Sequence, residues 1–327
     1  MSPPRPPPWW FNLRRRACVA GVLFLSGWCA AQTPRQDEEP PRGRRPSRFI
    51  RIEDGATIDE ANVRTARETL SRSSTTPTWT NAPGFDSDVF TFARVIFPSD
   101  PNRSPSRGRF PNLGWWVDYP DADLNLSWRL QQLTAIRTDP DARVLEFTDP
   151  DLHDFPLLYL EHAGYMNLAD EEVQCLKRYL ASGGALFVND FWSQREWDGF
   201  ATQMARALPE RTWEELSLDH PIFHTVYDLS VPLHELRVPT MQLWDQNFDP
   251  RDPASSPHRI DRGPGSEQMS IRALRDDRGR IQIVAIHNSD LSDGWERESE
   301  SDVYFETFSE KVAYPLAVNL IVHLMTH

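Results

Sequence analysis

Residues 155–165 read FPLLYLEHAGY, and this stretch decides the fold that we predict. An apolar run over residues 157–160 follows a proline and ends on two ionisable side chains, Glu161 and His162. The chain then turns through Ala163 and Gly164, and a helix is predicted over residues 169–182. A strand that runs into a tight turn and a helix places the turn at the carboxyl end of a sheet, where open α/β proteins hold ligands. Glu161 and His162 are therefore the first candidate site residues.

Composition and charge restrict the class of protein. The chain has 327 residues, 39% of them hydrophobic, which is enough for one large domain that needs no metal or disulfide to fold. Its net charge of -13 argues against nucleic acid and anionic membrane as partners. We expect no cofactor. Cys18 and Cys29 lie near the N-terminus, so Cys175 is left alone in the domain, where a helical pattern favours a buried structural thiol.

The N-terminal residues 1–31 have the pattern of a secretory signal. Arginines at positions 14–16 precede an apolar run over residues 17–29, and two alanines follow. The run is short for a membrane span, but an uncleaved anchor stays an alternative. We therefore expect an exported protein of the periplasm or cell envelope, which touches the membrane only if this segment is retained. Residues 32–84 are predicted to be a disordered tether with a possible short helix over residues 53–71.

Residues 85–327 are predicted to form one α/β domain. Strands are predicted over residues 89–97, 144–147, 157–160 and 184–190, with helices over residues 121–134, 169–182 and 196–207. This alternation favours right-handed crossovers and a parallel sheet. Beyond residue 209 the sequence predicts a short strand over residues 213–216, an irregular insertion over 232–262, a hairpin of strands 271–275 and 281–287, and a closing helix over 309–325.

Several motifs, taken in order, resemble the bacterial family known as domain of unknown function 4159. They are FARVIF at residues 92–97, PLLYLEHAG at 156–164, LASGGALFVND at 180–190, DHPIFH at 219–224 and LAVNLIVHLMTH at 316–327. The resemblance implies a class I glutamine amidotransferase-like domain, a flavodoxin-like parallel sheet with helices on both faces. Such enzymes carry a nucleophilic cysteine on a strained turn between strand and helix. The matching turn here, residues 161–164, contains neither cysteine nor serine.

The candidate catalytic residues are His162, Asp190 and His220. His162 suits a general base or a metal ligand, or it only hydrogen-bonds backbone to hold the turn. If the fold brings the three together, they form a mixed nitrogen and oxygen metal site. The DHPIFH motif has two histidines four residues apart, but the proline between them argues against the helix that such a metal site needs. Asp219 orienting His220 within a turn is the structural alternative.

Further groups complete the candidate ligand-binding set. The full set is Glu161, His162, Gly164, Asp190, Trp192, Asp219, His220 and Asn288. Asp190 and Asn288 each lie at the end of a predicted strand, and Trp192 belongs to a group of tryptophans with Trp115, Trp116 and Trp197. Tryptophans beside a polar cleft stack on sugar rings, but they are equally ordinary core residues.

The sequence therefore predicts a non-catalytic binding or interaction module of the bacterial envelope, because the turn lacks a nucleophile. Its ligand is expected to be an unidentified envelope protein or a carbohydrate. The alternative is a metal-dependent or His/Asp hydrolase that acts on envelope carbohydrate or peptide through His162, Asp190 and His220. The metal is unknown in that case.

Overall fold

The structure is a computed structural model that describes residues 48–51, 57–71, 76–84, 88–100 and 113–327. The predicted signal segment and residues 32–47 of the predicted tether lie outside these residues. Within the described ranges, no helix combines the length and the apolar character needed to cross a membrane.

The strands form two sheets. Their bounds are β1 Phe49–Arg51, β2 Thr57–Asp59, β3 Ala93–Ile96, β4 Arg143–Glu146, β5 Leu157–Glu161, β6 Ala185–Phe191, β7 Glu214–Glu215, β8 Ser270–Arg275 and β9 Ile281–His287. β1 and β2 pair as a small antiparallel sheet. The other strands form the central sheet in the order β4-β3-β5-β6-β9-β8-β7.

The central sheet is mostly parallel. β4, β3, β5, β6 and β9 run in one direction, and β8 and β7 extend the sheet in antiparallel fashion. Renumbered among themselves, the parallel strands have the order 2-1-3-4-5, which is the flavodoxin-like order. The predicted α/β flavodoxin-like fold is therefore confirmed. Every residue of β5, β6 and β9 is buried, as expected for strands that are covered on both faces.

The helices pack in two groups. Their bounds are α1 Asp121–Leu133, α2 Asp170–Ala181, α3 Ser193–Ala207, α4 Asp293–Glu296, α5 Asp302–Tyr304, a π-helix Phe305–Ala313 and α6 Tyr314–Thr326. α2 packs on α3, whereas α1 packs on α4 and α6. Three acidic residues in the first turn of α2 favour its positive end, and the Glu172 side chain accepts a hydrogen bond from the Ala169 N–H at 2.8 Å.

Some predicted elements are wrong in the described residues. The helix predicted over residues 53–71 is replaced by β2 and a 3-10 helix, Ala66–Glu68. Ile50 and Ile58 pair across β1 and β2 and are 5% and 1% exposed, so burial of this pair in the core outweighs the helical spacing. The closing helix has a π-helical first half, and Pro315 lies in the first turn of α6, where a missing N–H costs little.

A buried ion pair connects β3 to α1. The Arg94 side chain is fully buried, and its Nε donates to Asp123 Oδ1 at 2.9 Å and to Oδ2 at 3.0 Å. Its Nη1 donates to the carbonyl oxygens of Trp115 at 2.7 Å and Val117 at 2.9 Å. The same nitrogen lies 3.9 Å from Glu161 Oε2 at the end of β5. Arg94 therefore fixes the segment before α1 against the sheet.

We expect Arg94→Met to lower the free energy of unfolding by about 3–5 kcal/mol, because it leaves Asp123 buried without its cation. Urea denaturation followed by circular dichroism measures this loss. The control is Arg251→Met: the Arg251 side chain is 77% exposed and pairs with Asp249 at 2.9 Å, so its loss should lower the free energy of unfolding far less than the loss of Arg94. Equal losses in the two variants would contradict the role given to Arg94.

Candidate functional site

The carboxyl edge of the central sheet contains several residues in left-handed backbone conformation. His162 follows β5 with φ 53°, Asp190 lies in β6 with φ 48°, and Asn288 follows β9 with φ 62°. Asp118, in the segment held by Arg94, has φ 59°. Such conformations are uncommon for residues other than glycine and collect at functional sites. The strand order also reverses between β3 and β5 at this edge, where open α/β sheets hold ligands.

His162 and Asp190 form a buried pair at this edge. His162 Nδ1 lies 3.1 Å from Asp190 Oδ2, and the Trp192 indole donates to Asp190 Oδ1 at 2.7 Å. Burial acts to lower the pKa of His162, but the hydrogen bond to Asp190 and nearby carboxylates raise it above its usual value. Burial acts to raise the pKa of Asp190, but the contact with His162 lowers it below its usual value. The two shifts favour an imidazolium–carboxylate pair.

Glu161 faces away from this pair. Its carboxylate accepts a hydrogen bond from the Tyr159 hydroxyl and lies near Arg94, while its Oε1 has no hydrogen-bond partner among the described residues. Burial and the charge of Asp190 raise the pKa of Glu161 well above its usual value. As the alternation of side chains along a strand predicts, Glu161 and His162 therefore contact different partners.

Gly164 has a packing role in the turn. A Cβ atom on Gly164 would lie 2.4 Å from Glu196 Cβ on α3, so the turn can approach α3 only with glycine at this position. Glu196 then holds the turn by accepting hydrogen bonds from the Tyr165 hydroxyl at 2.8 Å and from the Trp192 N–H at 2.7 Å. These packing contacts account for the glycine at position 164, so no ligand is needed to explain it.

Asn288 connects loops at the same edge. Its amide nitrogen donates to the carbonyl oxygens of Gly265 at 2.8 Å and Gln268 at 2.7 Å, and its Oδ1 accepts from the Ser193 N–H at 2.8 Å. Because these bonds use both amide hydrogens and the amide oxygen, Asn288 has a structural role in this conformation.

His220 does not join His162 and Asp190. Its Nε2 lies 2.9 Å from Arg275 Nη2, and its Nδ1 accepts from the Ile222 N–H at 3.2 Å. Arg275 is the last residue of β8, and because β8 is antiparallel to β9, that residue pairs with Ile281 at the amino edge of the sheet. The mixed metal site predicted from His162, Asp190 and His220 is therefore not formed. Asp219 is exposed, and in the described part of the chain no hydrogen bond joins it to His220.

The four candidate sugar-stacking tryptophans are buried. Trp115 and Trp192 are 0% exposed, Trp116 is 6% exposed and Trp197 is 9% exposed. The guanidinium groups of Arg262 and Arg237 lie 4.6 Å and 5.4 Å from the centre of a Trp192 ring. Ring faces covered in this way are closed to a sugar, so these residues do not support a carbohydrate site.

The structure adds carboxylates that the sequence analysis missed. One oxygen from each of Asp118, Asp190 and Asp290 lies within 4.8 Å of the other two, and the same holds for Asp118, Asp293 and Glu296. Burial and the charge of Asp190 raise the pKa of Asp290 to about 7. Burial, followed by the charges of Asp293 and Glu296, raises the pKa of Asp118 well above its usual value. The position of Asp290 just after a strand is a signal that could have identified it, whereas Asp118 lies in a loop without periodic pattern.

An open pocket lies beside the edge. Its volume is about 450 Å³, and it is lined by Arg237, residues 253–262 and residues 266–268. Arg262 extends from this lining over Trp192, which itself contacts Asp190. The pocket is therefore connected to the His162–Asp190 pair through two side chains.

A known protein family matches much of the chain. The chain belongs to the family described as domain of unknown function (DUF4159), whose family model matches residues 107–325. The match includes the segment before α1, the turn after β5 and the ends of β6 and β9, but it begins after β3. No curated protein matches the chain.

We expect acidic pH to lower the free energy of unfolding because of His258, which lies in the insertion over residues 232–262. Its Nε2 accepts from the Thr240 N–H at 2.9 Å, and burial together with the charges of Arg262 and Arg237 lowers its pKa to about 3. In the unfolded chain, the His258 imidazole binds a proton near pH 6.5, whereas in the folded protein it stays neutral until the pH is much lower. The free energy of unfolding therefore falls as the pH decreases below 6.5. Between pH 7 and pH 5, the wild type should lose about 2 kcal/mol relative to His258→Gln, whose amide oxygen can accept the same bond.

Urea denaturation at both pH values measures this difference. His224→Gln is the control, because the His224 side chain is 36% exposed, and its hydrogen bond to the Leu218 carbonyl and its contact with Asp228 at 2.7 Å raise its pKa. A wild-type minus His258→Gln difference that is constant from pH 7 to pH 5 would contradict the assignment.

Proposed function

We propose that this protein is a non-catalytic binding module of the bacterial envelope, built on a class I glutamine amidotransferase-like domain. The observation that carries the proposal is the conformation of residue 162. His162, with φ 53° and ψ 41°, lies in the tight turn between β5 and a 3-10 helix, Ala163–Tyr165. Enzymes with a nucleophile elbow hold the attacking side chain on such a strained turn after a strand. Here that position is occupied by an imidazole that is 1% exposed.

Cys175 cannot replace the missing nucleophile. It lies within α2, and its Sγ is 3.1 Å from Arg178 Nη2 one helical turn further on. A thiol that acts at the elbow must approach a substrate at the carboxyl edge together with backbone donors. The envelope location rests on the arginines at 14–16 and the apolar run that follows them.

The ligand is proposed to bind in the open pocket of about 450 Å³. Arg259 and Arg262 belong to its lining, and Arg262 forms no ion pair with an acidic side chain in the described part of the chain. A guanidinium group held over an aromatic ring is suited to bind a carboxylate or phosphate. The ligand is therefore proposed to present an acidic group, as an envelope protein can.

Capture from envelope extract tests this role. We expect the wild type and Arg251→Glu to recover the same partner and Arg262→Glu to lose it, because a new carboxylate in the pocket repels an acidic group. Arg251 is a matched control, since it is exposed and lies in the same insertion outside the pocket lining. Recovery of the same partner by all three proteins would contradict the proposed ligand site.

One observation favours a hydrolase as the second candidate. The His162–Asp190 contact of 3.1 Å resembles the base and its orienting carboxylate in many hydrolases, and His162 Nε2 has no hydrogen-bond partner among the described residues. We expect purified wild type and His162→Ala to be equally inactive on amide, ester, glycoside and phosphoester substrates. Turnover by the wild type that His162→Ala abolishes would establish the hydrolase instead.

A further inference from the structure

Three acidic side chains from separate parts of the chain converge at the carboxyl edge. Asp118 precedes α1, Asp190 belongs to β6, and Asp290 lies between β9 and α4. One carboxylate oxygen of each lies within 4.8 Å of the other two. The residues are 6%, 4% and 2% exposed, so water screens their charges poorly.

Within the described residues, no Lys or Arg side chain forms an ion pair with this trio. Asp190 contacts His162, and the charge of Arg262 acts on Asp190 and Asp290 from beyond ion-pair distance. Burying carboxylates is costly unless a cation or a proton compensates them. The trio therefore has the charge and the geometry of a site for a small cation.

A second observation points to a ligand, independently of the clustering. The Oδ2 atom of Asp118 is fully buried and has no hydrogen-bond partner among the described residues. The residue as a whole is 6% exposed. Its backbone conformation is left-handed, and the Arg94 contacts to Trp115 and Val117 hold the segment in place. A buried carboxylate oxygen without a partner costs free energy that a coordinated cation would recover.

The other two carboxylates are oriented by hydrogen bonds. Asp190 contacts His162 and Trp192, as described above, and Asp290 accepts from the Thr240 hydroxyl at 2.8 Å and from the Asp293 N–H at 3.0 Å. Carboxylates retain further lone pairs after such bonds, and neighbours of this kind orient the ligands in metal sites.

We propose that Asp118, Asp190 and Asp290 form a binding site for one divalent cation that prefers oxygen ligands, such as Ca²⁺, Mg²⁺ or Mn²⁺. An all-carboxylate set is typical of these hard cations rather than of zinc. The neighbouring group of Asp118, Asp293 and Glu296 is less suitable, because Arg297 Nε lies 2.7 Å from Glu296 Oε2 and 3.4 Å from Asp293 Oδ1. This site goes beyond the proposed binding role and does not depend on it.

Calorimetric titration of the chelator-treated full chain with CaCl₂, MgCl₂ and MnCl₂ tests the site. We expect one equivalent of at least one cation to bind, and Asp118→Asn and Asp190→Asn to weaken binding by roughly 100-fold or more. Asp249→Asn, which changes an exposed carboxylate in the insertion, should bind like the wild type. Absence of binding by folded wild type overturns the proposal. Loss of binding in Asp293→Asn but not in Asp190→Asn overturns this choice of ligands.

Thermal unfolding gives a second readout that separates binding from misfolding. The cation should raise the melting temperature of the wild type and leave that of Asp118→Asn unchanged. Without cation, Asp118→Asn should melt at or above the wild-type temperature, because the substitution removes a buried charge and its repulsion. A cation-dependent rise in Asp118→Asn equal to that in the wild type would place the cation elsewhere and contradict the proposal.

Discussion

The buried guanidinium group of Arg94 is the interaction on which the candidate site depends. It joins β3 to Asp123 on α1, and it holds the carbonyl oxygens of Trp115 and Val117, so Asp118 follows directly on an anchored backbone. It also lies near Glu161 at the end of β5. The family match begins at residue 107, after β3, yet β3 lies between β4 and β5 and provides this anchor. The structural unit therefore extends on the N-terminal side of the matched residues.

Local patterns predicted much of the fold and named residues that the structure places at the carboxyl edge of the sheet. Apolar strands separated by amphipathic helices predicted the parallel sheet, and the ends of two predicted strands identified His162 and Asp190, which contact each other in the structure. Contacts among residues such as 118, 190 and 290 depend on strand order, which no local period encodes. His220 contacts Arg275, the last residue of β8. Because β8 is antiparallel to β9, it ends at the amino edge, and His220 therefore lies at the edge opposite to His162. The pairing of Ile50 with Ile58 shows how apolar residues near helical spacing can also fit a strand.

Electrostatics unites the observations at the carboxyl edge. Its buried acids include Asp118, Glu161, Asp190, Asp290, Asp293 and Glu296. Arg94 lies beside Glu161, Arg297 contacts Asp293 and Glu296, and His162 contacts Asp190. The remaining negative charge must be balanced by protons, as the raised pKa values of Asp118 and Asp290 indicate, or by a bound cation. The imidazole in the turn then acts as an orienting partner for a carboxylate, which is consistent with a binding module that has no nucleophile.

Anomalous diffraction from a crystal of the protein soaked in MnCl₂ tests the central claim most directly. The account predicts one anomalous peak enclosed by Asp118, Asp190 and Asp290, with carboxylate oxygens of all three at roughly 2.0–2.6 Å. An empty position between these carboxylates, with manganese bound elsewhere or a basic side chain inserted among them, would contradict it.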